Sequence, residues 1–99
     1  MSQQLCRVEY ALDAREDLIR LSMLHQDHLE LANHILFVIS DGIDLLKKHP
    51  LVGRQLPNGL RELVISHGST GYLARYQYDE LANLVLVLAI KHQREVDYH

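Results

Sequence analysis

Three strand-like runs in the closing third of the chain each carry or abut a cation. They are Gly59-Leu60-Arg61-Glu62-Leu63-Val64-Ile65, then Tyr72-Leu73-Ala74-Arg75-Tyr76-Gln77-Tyr78, then Leu84 to Ile90 with Lys91-His92-Gln93-Arg94 behind it. An antiparallel meander of such strands gathers Arg61, Arg75, His92 and Arg94 onto a small area, and clustered cations of this kind make a site for an anionic or polar partner. Arg75 stands among Tyr72, Tyr76 and Tyr78, where stacking on an aromatic face is worth about 1 kcal/mol. His92 follows an apolar strand directly, and an imidazole there can carry a proton near neutral pH. The seven histidines also raise the question of a metal. His25 and His28 are separated by Gln26 and Asp27, and His34 lies further along the same helical stretch. The step from 28 to 34 matches a helical face poorly, and no Cys-His or His-Glu-x-x-His pattern occurs, so no metal site is expected. No phosphate loop or acidic ion-binding motif is present either, and no cofactor is expected.

The elements that must position these side chains are legible from periodicity. Residues 4–10 alternate, with Cys6, Val8 and Tyr10 on one side, and read as a half-exposed strand. Asp13 with Glu16 resembles a capping box that opens a helix with its apolar face at Ala14, Leu18 and Leu21, extended by Met23 or Leu24. After a break near His25-Gln26-Asp27, a longer helix carries Leu29, Ala32, Leu36, Ile39, Ile43 and Leu46 at steps of three or four. Leu31, Ile35, Val38 and Leu45 widen that stripe, which implies burial against a sheet and against the first helix. Lys47-Lys48-His49-Pro50 ends it, with cations at the carbonyl end and a proline that forbids continuation. A loop from Leu51 to Gly59 leads into the three strands, of which the almost uniformly apolar Leu84 to Ile90 should be central. The order β-α-α-β-β-β predicts an α+β fold, a helical hairpin packed on a small antiparallel sheet.

Ninety-nine residues suffice for one domain, spanning 1–99, with one core. The N-terminus lacks a signal-peptide pattern and no stretch approaches the roughly 20 apolar residues of a membrane span, so a soluble, cytoplasmic protein with no membrane partner is expected. The single Cys6 has no disulfide partner within the chain and reads as a buried small hydrophobe. Charge is uneven. Residues 1–46 hold three Lys/Arg against eight Asp/Glu, while 47–99 hold seven against five. A mildly cationic second half suits an anchoring surface; a protein that grips a phosphate backbone usually has a larger basic excess.

Taken in order, four stretches resemble the RelE/ParE superfamily of type II toxins: His49-Pro50-Leu51-Val52-Gly53-Arg54, Gly59 to Ile65, Tyr72 to Asp79, and Leu88-Ala89-Ile90-Lys91-His92-Gln93-Arg94-Glu95. The resemblance covers nearly the whole chain and implies two activities. RelE-like members are ribosome-dependent endonucleases of mRNA; this role would need Arg61 and Arg75 on the phosphate, His92 as proton carrier and Tyr98 as base or stacking ring. ParE-like members are thought to poison DNA gyrase without cutting RNA, a role that asks for a rigid surface with polar anchors, here Arg61, Arg75, His92 and Arg94. The Pro-Leu-Val-Gly-Arg boundary and the closing Ala-Ile-Lys-His-Gln-Arg-Glu look more like the ParE-type, plasmid-stabilisation branch, as does the acidic net charge. Enzymatic activity therefore depends on the branch. The resemblance also implies a cognate antitoxin seated on a leftover apolar face at Leu31, Ile35 and Val38, in a homodimer or a heterotetramer with the antitoxin. A degenerate member that keeps only antitoxin binding is a third possibility.

Overall fold

The computed structural model describes residues 4–99, apart from the side chain of His67. Strand β1 (Arg7–Tyr10) leads into helix α1 (Leu12–Met23), helix α2 (Leu29–Asp44) and a 3-10 turn at Leu45–Lys47. Strands β2 (Arg54–Gln55), β3 (Arg61–His67), β4 (Thr70–Asp79) and β5 (Leu84–His92) complete the fold, with a short 3-10 turn at Pro57–Gly59. The strands form a five-stranded sheet in the order β1-β5-β4-β3-β2. Both helices cover one face of it, α1 over β5 and α2 over β3. No helix is long and apolar enough to cross a membrane among the described residues.

The expectation of an antiparallel sheet is corrected at one edge, where β1 runs parallel to β5. The two helices form the crossover that this pairing requires. The two-residue β2, which lies inside the expected loop, adds the opposite edge. Helix α1 starts at Leu12, one residue before the expected capping box, and Ala11 provides no side-chain cap; Asp13 instead places its charge in the first turn. For α2 the cap is His28, whose Nδ1 accepts the Leu31 N–H at 3.2 Å. This histidine closes a helix end.

The core is lined by Ala32, Ile35, Ile39, Ile43 and Leu46 from α2 and its extension, by Ala14 and Leu21 from α1, and by Leu63, Ile65, Tyr72, Ala74, Tyr76, Val85, Val87 and Ile90 from the sheet. Leu29, Met23 and Leu24, expected to join the apolar faces, are exposed. Gly42 lets α2 approach β3, since a Cβ there would sit 2.8 Å from Ile65 Cγ2. Cys6 is buried, with Sγ 3.0 Å from the Leu46 carbonyl oxygen.

A bulge governs which side chains of β5 face where. Arg75 pairs with Ala89 and Tyr76 with Val87, so Leu88 is an extra residue. Before it Val85 and Val87 face the helices; after it Ile90 does, opposite core residue Ala74, and His92, opposite Tyr72. Ala89 and Lys91 therefore turn to the uncovered face. Beyond Tyr10 the outer edge of β5 has no strand partner among the described residues. Its Ile90 N–H donates instead to Asp17 Oδ2 at 2.8 Å, and its carbonyl accepts from Arg20 at 3.3 Å. Helix α1 thus satisfies the exposed backbone of β5 with a buried carboxylate and an arginine.

Candidate functional site

Cross-strand neighbours share a face, and the register sorts the cations accordingly. Arg54 pairs with Glu62, Glu62 with Arg75, and Lys91 with Leu73, which in turn pairs with the exposed Val64. Arg54, Glu62, Arg75 and Lys91 thus lie on the uncovered face of the sheet. The C-terminal tail crosses this face and brings Tyr98 onto the cluster. The Tyr98 hydroxyl donates to Glu62 Oε2 at 2.8 Å, while Arg54 donates twice to Oε1, at 2.7 and 2.9 Å. Arg75 Cζ sits 4.4 Å from the Tyr98 ring centre and Lys91 Nζ 5.3 Å from it. An aromatic face between two cations is attractive because the ring quadrupole is negative above and below its plane. Among the described residues the buried Nε of Arg75 has no hydrogen-bond partner, so stacking on Tyr98 is what positions the guanidinium.

The cluster has defined electrostatics. Burial by itself would raise the Glu62 carboxyl, but the Tyr98 hydroxyl and Arg54 outweigh it and hold the group below its ordinary range. Tyr98 moves the other way. Burial, then the hydrogen bond to Glu62 and the charge of that carboxylate, raise the phenol against the opposing pull of Arg75 and Arg54. A phenol so raised is a poor proton acceptor and a sound ring for stacking.

The remaining anticipated residues lie elsewhere. Arg61 is opposite Tyr76, on the helix-covered face, and its Nη1 donates to the carbonyls of Leu51 and Gly53 at 2.9 and 2.8 Å. It secures the loop ahead of β2. The same loop is fixed by Tyr76, whose hydroxyl donates to the Pro50 carbonyl at 2.8 Å and accepts from the Gly53 N–H at 2.9 Å. His92 meets Tyr72 edge to face at 5.3 Å, and its Nδ1 accepts the Arg94 N–H at 3.1 Å. Of the four groups a nuclease would recruit, only Arg75 and Tyr98 are brought together. Of the apolar trio, Ile35 belongs to the core at 6% exposure, Val38 packs partly against the core, and Leu31 is 38% exposed. Leu31 and Ile35 line a 260 Å³ cleft with Tyr72 and His92.

Arg54, Glu62 and Lys91 were not anticipated. For Glu62 and Lys91 the signal was strand alternation, which sets Glu62 apart from Leu63 and Lys91 apart from Ile90. The tail is anchored by Glu95, whose carboxylate accepts from Arg20 at 2.7 Å and from the His92 N–H at 2.8 Å and meets His99 at 2.7 Å. Burial opposes ionisation of Glu95, but the His92 N–H, Arg20 and His99 hold its carboxyl at about 2. Among the described residues no group of three or more His, Cys, Asp or Glu side chains is placed to hold a metal ion.

Two helices packed on a five-stranded mixed sheet is also the fold of a chain in the crystal structure of the toxin-antitoxin complex RelBE2 from Mycobacterium tuberculosis. The two superpose with a TM-score of 0.66 at 22% identity, covering 95% of this chain and 98% of that one. The model of the ParE toxin of the type II toxin-antitoxin system parDE matches residues 8–97. The chain belongs to this family and is a type II toxin of the RelE/ParE superfamily. No curated protein matches it.

Proposed function

We propose that this toxin acts by binding DNA gyrase, with no turnover of its own, and that a cognate antitoxin neutralises it. The observation that carries this reading is the separation of the groups an mRNA endonuclease would need. Arg61 is committed to loop carbonyls on the helix side, and His92 stands against Tyr72 on that same side. Tyr98, on the opposite face, donates its proton to Glu62 and is raised by burial. General acid-base cleavage needs its proton donor and acceptor within hydrogen-bond reach of one phosphate. An anchoring surface needs only fixed cations, and Arg75, Lys91 and Arg54 supply them; Arg94 lies apart from these, beside Arg20 and Leu24.

The antitoxin reading is supported by family membership and by the RelBE2 neighbour, itself a toxin-antitoxin complex. Its proposed seat is the cleft at Leu31 and Ile35, with Val38 one helical turn further on.

The test is expression of the toxin alone, with plasmid supercoiling, the SOS response and mRNA integrity followed together. Loss of supercoiling with SOS induction is expected. Intact supercoiling with cleaved mRNA would overturn the gyrase reading in favour of the ribosome-dependent one, and absence of growth arrest would leave only antitoxin binding.

A further inference from the structure

Of the three cations clustered on the uncovered face, only Arg54 stands open to solvent, with its side chain 69% exposed. Arg75 and Lys91 are half-buried, and both face the Tyr98 ring of the C-terminal tail. We propose that the tail is an autoinhibitory strap: Tyr98 occupies the place that an acidic segment of the target protein takes, and the toxin engages that segment only after the tip of the tail has lifted. The inference rests on the reading of this face as the target surface.

The tail has the chemistry of the partner it stands in for. From Glu95 to His99 it holds two side-chain carboxylates and no Lys or Arg. The cluster beneath it sets three cations, Arg54, Arg75 and Lys91, against one carboxylate, Glu62. That modest excess suits a short run of carboxylates, whereas a phosphate backbone calls for a larger one. Lys91 Nζ also donates to the Glu95 carbonyl at 3.0 Å. A guanidinium under an aromatic ring is closed on that side, so a partner carboxylate reaches Arg75 by displacing the ring. Charge-assisted hydrogen bonds to Arg75 and Lys91 then replace two cation–π contacts, and such bonds are the stronger kind.

The strap opens at one end. Its root is held by the Gln93 N–H, which donates to the Gly71 carbonyl at 3.0 Å, and by the Glu95 carboxylate, which accepts from Arg20 and the His92 N–H at 2.7 and 2.8 Å. Beyond Glu95 the hold is slight. Val96 and Asp97 are exposed. The tip is kept down by the ring on Arg75 and Lys91, by the Tyr98 hydroxyl on Glu62, and by His99 against Glu95 at 2.7 Å. A segment that buries one ring and little else opens at a small fraction of the global unfolding free energy. Root and tip part at Val96, so the face is uncovered while the tail stays attached to the fold.

The experiment titrates the full-length protein with a deca-glutamate peptide at low ionic strength, followed by calorimetry and NMR. Weak saturable binding is expected in the parent, with shifts at Arg75 and Lys91 and loss of the ring-current shift that Tyr98 imposes on the Arg75 side chain. Apparent affinity scales with the fraction of molecules whose face is open, so Tyr98→Ala should bind about tenfold tighter. Tyr98→Phe keeps the ring, loses only the hydrogen bond to Glu62 and should fall between. Adding Arg75→Gln to Tyr98→Ala should abolish binding. Equal or weaker binding by Tyr98→Ala, a ring-current shift unchanged at saturation, or tighter binding of a deoxythymidine decamer would overturn the proposal. The peptide titration does not involve gyrase. Tighter peptide binding by Tyr98→Ala with supercoiling intact in cells would support the strap and sink the gyrase reading; lost supercoiling with no gain in peptide affinity would do the reverse.

Discussion

At the residue scale, two polar side chains tie separate elements of the fold together. Asp17, at 4% exposure, accepts the Ile90 N–H and pairs with Arg20. Asp17→Ala strands a buried backbone donor and an arginine at once, and should lower stability by roughly 3 kcal/mol, measured by urea denaturation. Arg61→Ala removes two hydrogen bonds to the Leu51 and Gly53 carbonyls. A loss of about 1–2 kcal/mol is expected in the same measurement. In neither case would the sequence alone have assigned the role. Asp17 occupies an ordinary helical position, and its burial depends on where β1 stops along β5. Arg61 alternates correctly in its strand, but alternation does not say which face the helices cover.

At the element scale, the tail and the loop before β2 decide the shape of the site. Gly53 allows the loop to lie against β4, because a Cβ there would meet the Tyr76 hydroxyl at 2.6 Å and the Glu62 carbonyl at 2.9 Å. Tyr76 is fully buried and has no room to yield. Gly53→Ala should therefore cost roughly 2 kcal/mol and lower the thermal midpoint by several degrees in a calorimetric scan. The tail has its own pH dependence. The Glu95 carboxyl is depressed from an ordinary 4.5 to about 2, so its contribution is complete above about 4.5 and is lost progressively as pH falls from there through about 2. Protection of the Glu95 and Tyr98 amides, taken relative to their intrinsic exchange rates, should fall over that window before that of the core. Unchanged protection of the tail down to pH 2 would contradict the Glu95 anchor. Helix and strand positions were largely legible from periodicity, with Ile39 and Ile43 buried as their spacing implied. The bulge at Leu88 was not, because an unbroken apolar run gives no phase, and the face occupied by Lys91 and His92 depends on that phase.

At the scale of the whole molecule, the proposed target surface and the fold can be separated by paired substitutions. Arg75→Ala takes away a guanidinium held by stacking on Tyr98 and should abolish growth arrest while lowering the unfolding free energy by no more than about 1 kcal/mol. Arg61→Ala should do the reverse, lowering stability while arrest persists at permissive temperature. Growth assays alongside denaturation of the purified variants distinguish the two; equal effects on arrest would restore Arg61 to the working surface. The sequence by itself determined the class of fold, the family and the presence of cations on successive strands, because hydrophobic spacing and local motifs are encoded within a few residues of each other. Only the tertiary structure decided which cations meet. Glu62 and Tyr98 lie 36 positions apart, and their hydrogen bond, like the division of Arg75 from Arg61 and His92, follows from strand register, one bulge and the path of the tail. These are long-range choices that side-chain periodicity leaves open, since it fixes alternation along a strand but not the side on which the helices come to rest.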